Sequence, residues 1–391
     1  MTRIARSDDE LTVGLEGRVD TNNVHAVEGE VMAALDASGP RRVVFDARDL
    51  TYISSAGLRM ILKVARRVAD VSFVEATSAV YDVLEMSGFT EIIDVRRAMR
   101  EVSLDGLEMI GAGANGRVFR LDDERILKVY NPLTNTPEKI AREKSVAREA
   151  TVWGIPSVLS FDMVRVGDGF GIVYEMIDAL TLGETIAREP ERLEEYATRM
   201  ASMLRELHAT EFPPAALPDA RDGLHGWVDV AERSGCYAPE VIAAAHALVD
   251  SIPAANTFVH GDFHPANIMV CENEELLLID IGDAAVGDPI IDLMGAYQIM
   301  RLVADQPGGS EHYLKLTSEQ SIRVWNTFIR SYLGSDDEER VEALERRLHF
   351  LAIIRALGGV TFSTVISDER RQRTIDQMSK ALLEGMAAHT A

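Results

Sequence analysis

The chain has 391 residues, which is too many for one ordinary domain, and its 47% hydrophobic and 26% charged residues are typical of a folded protein with an ample core. Forty Lys and Arg residues against 63 Asp and Glu residues give a net charge of −23, which argues against a protein that neutralises nucleic-acid phosphates or anionic lipids. With only Cys236 and Cys271, a disulfide scaffold and a cysteine-rich zinc module are excluded. The start of the chain does not resemble a signal peptide, and no apolar run approaches the ~18 residues of a membrane span. We therefore expect a soluble, cytoplasmic protein with no nucleic-acid and no membrane partner.

The first part of the chain, up to about residue 98, alternates between strand-like and helix-like patterns. This alternation predicts a small α/β layer with helices packed on a sheet. The predicted strands are 11–15, 43–45, 71–74 and 92–93, and the predicted helices are 24–35, 56–68 and 79–86, the last ended by Gly88.

The pattern changes after the charged stretch 94–101, which we predict to be the joint between two domains, either as a linker or as a helix because it lacks Gly and Pro. Residues 103–178 contain hairpin-like runs around one long helical segment, 138–153. Residues 187–250 and 316–388 are predicted to be mostly helical.

A glycine-rich motif opens the second part. Gly111, Gly113 and Gly116 would let backbone N–H groups approach phosphate oxygens without a clash with Cβ atoms. The same spacing occurs in dinucleotide sites, but there the glycines open into a helix. Here a strand, the turn Asp122-Asp123 and a second strand with Lys128 follow. This order is typical of kinases, in which a lysine on a neighbouring strand binds the nucleotide phosphates.

A lysine in that role needs a carboxylate partner to orient it. Glu143 lies inside the following helical segment, and Glu149 near its end is the alternative. We favour Glu143 as the partner of Lys128.

The most specific motif is His260-Gly261-Asp262-Phe263-His264-Pro265-Ala266-Asn267, followed by Leu277-Leu278-Ile279-Asp280. A kinase needs one carboxylate beside the acceptor hydroxyl and two oxygen ligands for Mg²⁺. Asp262 suits the first role, and Asn267 and Asp280 suit the second. The apolar runs between them predict a hairpin that brings Asn267 and Asp280 together.

From about residue 107 to 300 the sequence resembles the aminoglycoside phosphotransferase and choline kinase group, relatives of the protein kinases. The motif HGDFHPANIMV…LLLIDIGDAAVGDPIIDL carries the resemblance. It implies ATP as phosphoryl donor and Mg²⁺ as cofactor. It also implies Asp262 as the catalytic base, Lys128 as the phosphate-binding lysine with Glu143 as its partner, and Asn267 and Asp280 as metal ligands. His260 and Asp292 would support the catalytic loop, and the stretch 174–178, which includes Glu175 and Ile177, resembles the hinge whose backbone meets adenine.

The resemblance completes the expected fold class: a small α/β domain followed by a bilobal kinase-like fold. We expect domains at 1–98 and 99–391, with a β-rich N-lobe at about 103–178 and a helical C-lobe at about 179–391.

Two features favour a small-molecule hydroxyl acceptor over a protein. Asp280 and Asp292 are too close in sequence for the long segment on which protein kinases bind a peptide, and His264 stands where protein kinases usually have a lysine. The region 187–256 has 12 acidic residues, six Arg and no Lys, which would suit a cationic acceptor such as an amino-sugar or a choline-like amine. A plain solvated surface explains that acidity equally well.

The first part resembles another family, the STAS domains of anti-sigma factor antagonists, over about residues 8–96. The stretch Asp49-Leu50-Thr51-Tyr52-Ile53-Ser54-Ser55-Ala56-Gly57-Leu58-Arg59 carries the resemblance. Those proteins bind a partner and are switched by phosphorylation of a serine at this helix start, which implies Ser55 here. Ser54 stands where many members have Asp, and either serine could simply cap the helix.

Three hypotheses follow. In the first, the chain is a small-molecule kinase with a STAS domain for regulation or docking. In the second, it is a signalling protein whose kinase part phosphorylates a STAS serine, Ser55 or one on another chain, in an anti-sigma pathway. The third is a scaffold that binds nucleotide without catalysis. We favour the first.

Overall fold

The computed structural model describes residues 2–7, 9–113, 116–213, 216–306, 308–362 and 368–390. The chain forms two compact units, Met1–Ser103 and Leu104–Ala391. The sequence predicted a division near residue 98, within a margin of about ten residues. Among the described residues, no helix combines the length and the apolar character needed to cross a bilayer.

The first unit is a five-stranded sheet in the order β1-β2-β3-β4-β5 with helices between its strands. Strand β1 is antiparallel to β2, and the remaining neighbours are parallel. Its elements are β1 (Thr2–Arg6), β2 (Glu10–Val19), α1 (Val24–Ser38), β3 (Arg42–Ile53), α2 (Ser55–Ala65), β4 (Asp70–Ala76), α3 (Ser78–Met86) and β5 (Asp94–Arg97).

The alternation of apolar and polar residues in the sequence corresponds to alternating buried and less buried positions on the strands of this sheet. Leu11, Val13 and Leu15 on β2 are at most 1% exposed, as are Val43 and Phe45 on β3. Alternate side chains of a strand point to opposite faces, so these residues form one buried face under the helices. The predicted α/β layer is confirmed.

The prediction was wrong at the end of this unit. The last strand is Asp94–Arg97 rather than 92–93, and a short 3-10 turn, Phe89–Glu91, precedes it. Ile93 is buried, but it lies between the turn and the strand and belongs to neither. The charged stretch 94–101, predicted to be a linker or a helix, therefore begins with the edge strand of the sheet, where polar side chains are tolerated.

The second unit begins with an antiparallel sheet in the order β6-β7-β8-β10-β9 and continues into a helical part. This is the expected β-rich lobe followed by a helical lobe. Its strands are β6 (Glu108–Gly113), β7 (Gly116–Arg120), β8 (Arg125–Tyr130), β9 (Ser160–Val166), β10 (Gly169–Glu175), β11 (Leu180–Thr181), β12 (Phe258–Val259), β13 (Ile268–Val270), β14 (Leu276–Leu278) and β15 (Ala285–Val286). Its helices are α4 (Pro137–Val152), α5 (Leu182–Arg188), α6 (Leu193–His208), α7 (Ala220–Arg233), α8 (Pro239–Asp250), α9 (Ile290–Tyr297), α10 (Gly309–Leu314), α11 (Ser318–Leu333), α12 (Glu338–Phe362) and α13 (Asp368–Thr390).

A large apolar core holds the helical lobe together and fixes the loops that follow β12 and β14. Fully buried Phe263 joins this core from within the motif that begins at His260. Phe263 packs against Phe328 of α11, with ring centroids 6.2 Å apart. Burying an aromatic ring contributes ~2–3 kcal/mol, so Phe263 anchors the loop to the core of the helical lobe.

Candidate active site

Lys128 lies on β8, with its neighbours Leu127 and Val129 buried on the opposite face of the sheet. Its Nζ atom is 3.0 Å from Glu143 Oε1 and 2.6 Å from Asp280 Oδ1. Burial lowers the pKa of Lys128, but the two carboxylates outweigh burial, so the net pKa is raised above its ordinary value. Lys128 is therefore a fixed cation between the two lobes.

Glu143, on α4, is held by more than the lysine. The hydroxyls of Tyr130 and Tyr174 both donate to its Oε1 atom, the latter at 3.1 Å. Burial, together with the nearby carboxylate, raises the pKa of both tyrosines far above the ordinary value, so both remain protonated donors. Sequence reasoning missed this pair. The signal was present for Tyr130, because a residue two positions after Lys128 on a strand faces the same side.

The alternative partner, Glu149, lies on the same helix but lines a different cavity together with Arg142 and Asp219. Of the two candidate carboxylates, the structure brings Glu143 to the lysine.

The glycines of the motif lie at the β6–β7 connection. Residues 114 and 115 lie outside the described residues, so the tip of the motif is not described. A Cβ atom at Gly116 would lie 2.1 Å from the Val129 carbonyl oxygen, whereas one at Gly113 would meet nothing within 4 Å. Gly116 is thus required by the close approach of β8, while Gly113 faces open space and a Cβ atom at Gly111 would make only an ordinary contact with Val118, at 3.6 Å.

A cavity of about 440 Å³ lies next to Lys128. Its polar end is formed by Lys128, Asn267 and Asp280, and its walls are mostly apolar. The apolar side chains of the walls are Ile110, Val118, Ile126, Val158, Met269 and Ile279.

Glu175 and Ile177, predicted for the hinge, both line this cavity. The Glu175 carboxylate accepts a hydrogen bond from the Leu159 N–H at 2.8 Å, and the Glu175 N–H donates to the Leu159 carbonyl at 3.0 Å. Both the carboxylate and the N–H group of Glu175 are therefore engaged within the fold.

Asp262 lies in the loop after β12, with its side chain 27% exposed. Its Oδ2 atom is 3.2 Å from Asn267 Nδ2 and 3.3 Å from His264 Nε2. Its Oδ1 atom accepts a hydrogen bond from Arg355 Nη2 at 2.9 Å. Burial alone would raise the pKa of Asp262, but His264 and Arg355 outweigh it and hold the pKa well below its ordinary value. The carboxylate is therefore ionised at neutral pH.

The predicted hairpin between Asn267 and Asp280 is present as β13 and β14, paired antiparallel from Ile268–Leu278 to Val270–Leu276. The Ile279 N–H donates to the Asn267 carbonyl at 3.0 Å, which ties the two candidate ligands together. Asp280 has φ +56°, a left-handed conformation that costs a non-glycine residue ~1–3 kcal/mol and is common at functional sites. Because the Asn267 amide nitrogen donates to Asp262, the Asn267 amide oxygen is the atom left to bind a cation.

Asp292, on α9, is fully buried and accepts hydrogen bonds from the backbone N–H groups of His260 at 2.8 Å and Gly261 at 2.7 Å. His208 Nε2 lies 3.1 Å from the same carboxylate. Nε2 of His260 lies 3.2 Å from the Ile279 carbonyl, and its Nδ1 accepts from the Asp262 N–H at 3.2 Å. His260 and Asp292 thus join the loop of Asp262 to the strand that leads to Asp280.

Residues 106–344, more than half of the chain, match the phosphotransferase enzyme family. The chain belongs to that family. It is therefore an enzyme, a phosphotransferase of the kinase type that acts on a hydroxyl group.

Residues 2–101 of this phosphotransferase match the Mlab, STAS domain. The chain is 41% identical over 92 residues to BtrV of Bordetella bronchiseptica, which is described as an anti-sigma factor antagonist, and this stretch covers 22% of the chain and 78% of BtrV. The first unit is a STAS domain, so both predicted family resemblances are confirmed.

Among solved structures, the phosphotransferase is similar to a thermostable mutant of aminoglycoside phosphotransferase APH(4)-Ia. The identity is 15% and the TM-score 0.47, over 72% of this chain and 95% of the other. It is also similar to aminoglycoside phosphotransferase APH(3'')-Id from Streptomyces rimosus, with 20% identity and a TM-score of 0.44. This similarity covers 63% of this chain and 93% of the other.

In the STAS domain, Ser54 is the N-cap of α2, and its hydroxyl accepts from the N–H groups of Ala56 and Gly57 at 3.3 and 3.4 Å. Ser55 is the first residue of the helix and is exposed. The two serines predicted as alternatives at this helix start thus differ, because Ser54 caps the helix and Ser55 is exposed in its first turn.

Proposed function

We propose that the phosphotransferase uses ATP and Mg²⁺ and transfers the γ-phosphoryl group to a hydroxyl of a small acceptor. The observation that supports this most is the convergence of Lys128, Glu143 and Asp280, contributed by a strand, a helix and a loop that are far apart in sequence. Such a group of charged residues can position phosphates and neutralise their charge. Catalysis of phosphoryl transfer consists mostly of this positioning and electrostatic stabilisation.

The cavity beside Lys128 suits a nucleotide. Its apolar walls would enclose the base, and the Ile177 backbone and the Glu175 carbonyl offer polar contacts at its edge. Lys128 and the backbone around Gly111, Gly113 and Gly116 would hold the phosphates.

The Asn267 amide oxygen and the Asp280 carboxylate are oxygen donors of the kind that Mg²⁺ prefers. They are joined through the Ile279–Asn267 hydrogen bond, and Asp280 is 40% exposed toward the cleft, so the residues present fit the ion. When bound, Mg²⁺ would neutralise charge on the β- and γ-phosphates.

Asp262 is the group proposed to act on the acceptor. It orients the acceptor hydroxyl and takes its proton as the bond from the acceptor oxygen to the γ-phosphorus forms and the bond from that phosphorus to the ADP oxygen breaks. ADP leaves with the electron pair of the broken bond. His260 and Asp292 would keep Asp262 in place through their hydrogen bonds to the loop.

The segment between Asp280 and Asp292 supports a small acceptor. It contains only a 3-10 turn and the two-residue strand β15 before α9 begins, so it offers no long platform for a peptide. The acidic region 187–256 suits a cationic acceptor, which we keep as part of the proposal.

A second candidate is a signalling role in which the acceptor is a STAS serine. The exposed position of Ser55 at the start of α2 favours it over Ser54, whose hydroxyl is used as the cap. A phosphate adds about −1.5 to −2 charges, which a helix N-terminus tolerates but an apolar docking face does not. An anti-sigma pathway protein would then be the partner of the STAS domain.

One experiment separates the candidates. The full chain is incubated with Mg-ATP, with and without a panel of amines, amino-sugars and choline-like alcohols, and both ADP release and intact protein mass are measured. ADP release that depends on a panel member, with an unchanged protein mass, supports the small-acceptor function. A mass gain of one phosphoryl group that is lost in both Ser55→Ala and Asp262→Asn supports the STAS-serine function, and ATP binding without any ADP release refutes both.

A further inference from the structure

A side chain from α12 reaches the loop that carries Asp262. Nη2 of Arg355 donates to Asp262 Oδ1 at 2.9 Å, and Nη1 of the same guanidinium donates to the Gly261 carbonyl at 3.0 Å. The Arg355 side chain is only 15% exposed. Arg355 lies beyond residue 344, where the match to the phosphotransferase family ends, so the family resemblance assigns it no role.

The fold makes room for this guanidinium. Gly295 lies on α9, and a Cβ atom there would come within 2.7 Å of Arg355 Nη1. Gly261 has φ +82°, and a Cβ atom there would lie 2.6 Å from the Asp283 carbonyl oxygen. Gly261 is therefore required by the close approach of Asp283, whereas Gly295 leaves the space that Arg355 Nη1 occupies, so a larger residue at 295 would have to displace the guanidinium.

The hydrogen bonds of Asp262 can be counted. An ionised carboxylate has about four acceptor positions, two on each oxygen. Among the described residues, Asn267 and His264 approach Oδ2, and Arg355 takes one position on Oδ1. One position on Oδ1 remains, next to the atom that Arg355 holds, and it is the position left for the acceptor hydroxyl.

We propose that Arg355 is a positioning residue for phosphoryl transfer. It holds Oδ1 of Asp262 so that the remaining lone pair of that atom receives the acceptor hydroxyl, and it locks the loop by bonding the Gly261 carbonyl as well. A bidentate guanidinium suits this task better than an ammonium group, because its two N–H groups have a fixed relative geometry. This inference rests on the proposed function of Asp262.

Arg355→Ala, Arg355→Lys and Gly295→Ala test the role, and Arg346→Ala is the control. Arg346 is on the same helix, is 67% exposed and pairs only loosely with Glu342, at 3.5 Å. ADP release is followed at varied ATP, with the best acceptor of the panel and with water alone as acceptor, in the absence and presence of millimolar guanidinium chloride.

Loss of hydrogen bonds to a charged group is worth about 10- to 100-fold in rate, so we expect Arg355→Ala to lower kcat by that factor with KM for ATP within about twofold. We expect guanidinium to restore part of the kcat of Arg355→Ala, since it can occupy the vacated space. Arg355→Lys should retain an intermediate kcat, Gly295→Ala should lower kcat because it displaces the guanidinium, and Arg346→Ala should match the wild type.

The proposal is overturned if Arg355→Ala keeps the wild-type kcat, or if its kcat falls without any rescue by guanidinium and Arg355→Lys falls equally, because a purely structural role would behave so. Should Arg355→Ala not fold, Arg355→Lys and Gly295→Ala decide in the same way. A wild-type chain without ADP release, or an Asp262→Asn variant as fast as the wild type, would refute the proposed function itself, and the role of Arg355 with it.

Discussion

The ion pair between Lys128 and Glu143 gives the sharpest prediction for the nucleotide site. Glu143→Gln keeps the shape of the side chain and an oxygen to which Tyr130 and Tyr174 can donate, but it removes the charge that faces Lys128. Of the two carboxylates that face Lys128, Asp280, at 2.6 Å, would then remain, and the lysine would draw it away from its proposed role as a metal ligand.

The expected loss in kcat/KM for ATP follows from the burial of the two paired side chains. Lys128 and Glu143 are 15% and 14% exposed, so solvent screens their hydrogen bond only in part. A hydrogen bond between charged groups contributes about 1.5–3 kcal/mol in such a setting. At tenfold in rate for about 1.4 kcal/mol, we expect kcat/KM for ATP to fall about 10- to 150-fold.

The assay is ADP release by the full chain at varied Mg-ATP. Glu149→Gln is the matched control, because Glu149 is on the same helix and lines a different cavity, and we expect less than a twofold effect from it. If Glu143→Gln retained the wild-type kcat/KM, or if both variants fell equally, the pairing of Glu143 with Lys128 would not serve the nucleotide.

Three further predictions concern the scaffold around the sites. Gly116→Ala places a Cβ atom 2.1 Å from the Val129 carbonyl and should destabilise the second unit by about 1–3 kcal/mol, whereas Gly113→Ala should not, as followed by urea unfolding with tryptophan fluorescence. Asp292→Ala leaves two buried backbone N–H groups and His208 without their carboxylate and should cost about 3–5 kcal/mol in the same assay; a cost below 1 kcal/mol would contradict the bracing role. Ser54→Ala removes the cap of α2 and should cost about 1 kcal/mol, visible as faster hydrogen exchange in peptides of that helix, and Ser55→Ala should leave the exchange unchanged.

The local parts of the site were predictable because they depend on short-range patterns. The strand with Lys128 and the β13–β14 hairpin follow from apolar periodicity, and the hairpin alone is enough to place Asn267 beside Asp280. The choice between Glu143 and Glu149 was harder, because residues six apart lie on different faces of a helix and the sequence does not say which face meets the sheet.

The long-range parts were not predictable. Arg355 is 93 residues from Asp262 in sequence, on a helix with no motif of its own, and only the packing of the helical lobe brings the two together. The prediction of the last strand of the STAS domain was wrong for another reason. The run 92–93 is apolar like a strand, but the backbone pairs with β4 only from Asp94 onward. Ile92 ends the 3-10 turn and is 56% exposed, and of the two residues only Ile93 is buried in the core.

The central claim is that Asp262 acts on the acceptor while Lys128 and its partners hold the nucleotide. The most direct measurement is a comparison of Asp262→Asn with the wild type in two quantities, the dissociation constant for Mg-ATP by calorimetry and the rate of ADP formation. We predict a loss in rate of at least ~100-fold with an affinity changed less than about threefold, since general-base catalysis is worth about 10²- to 10⁴-fold. An Asp262→Asn enzyme that formed ADP at the wild-type rate, or that lost rate only in proportion to its loss of ATP affinity, would contradict the claim.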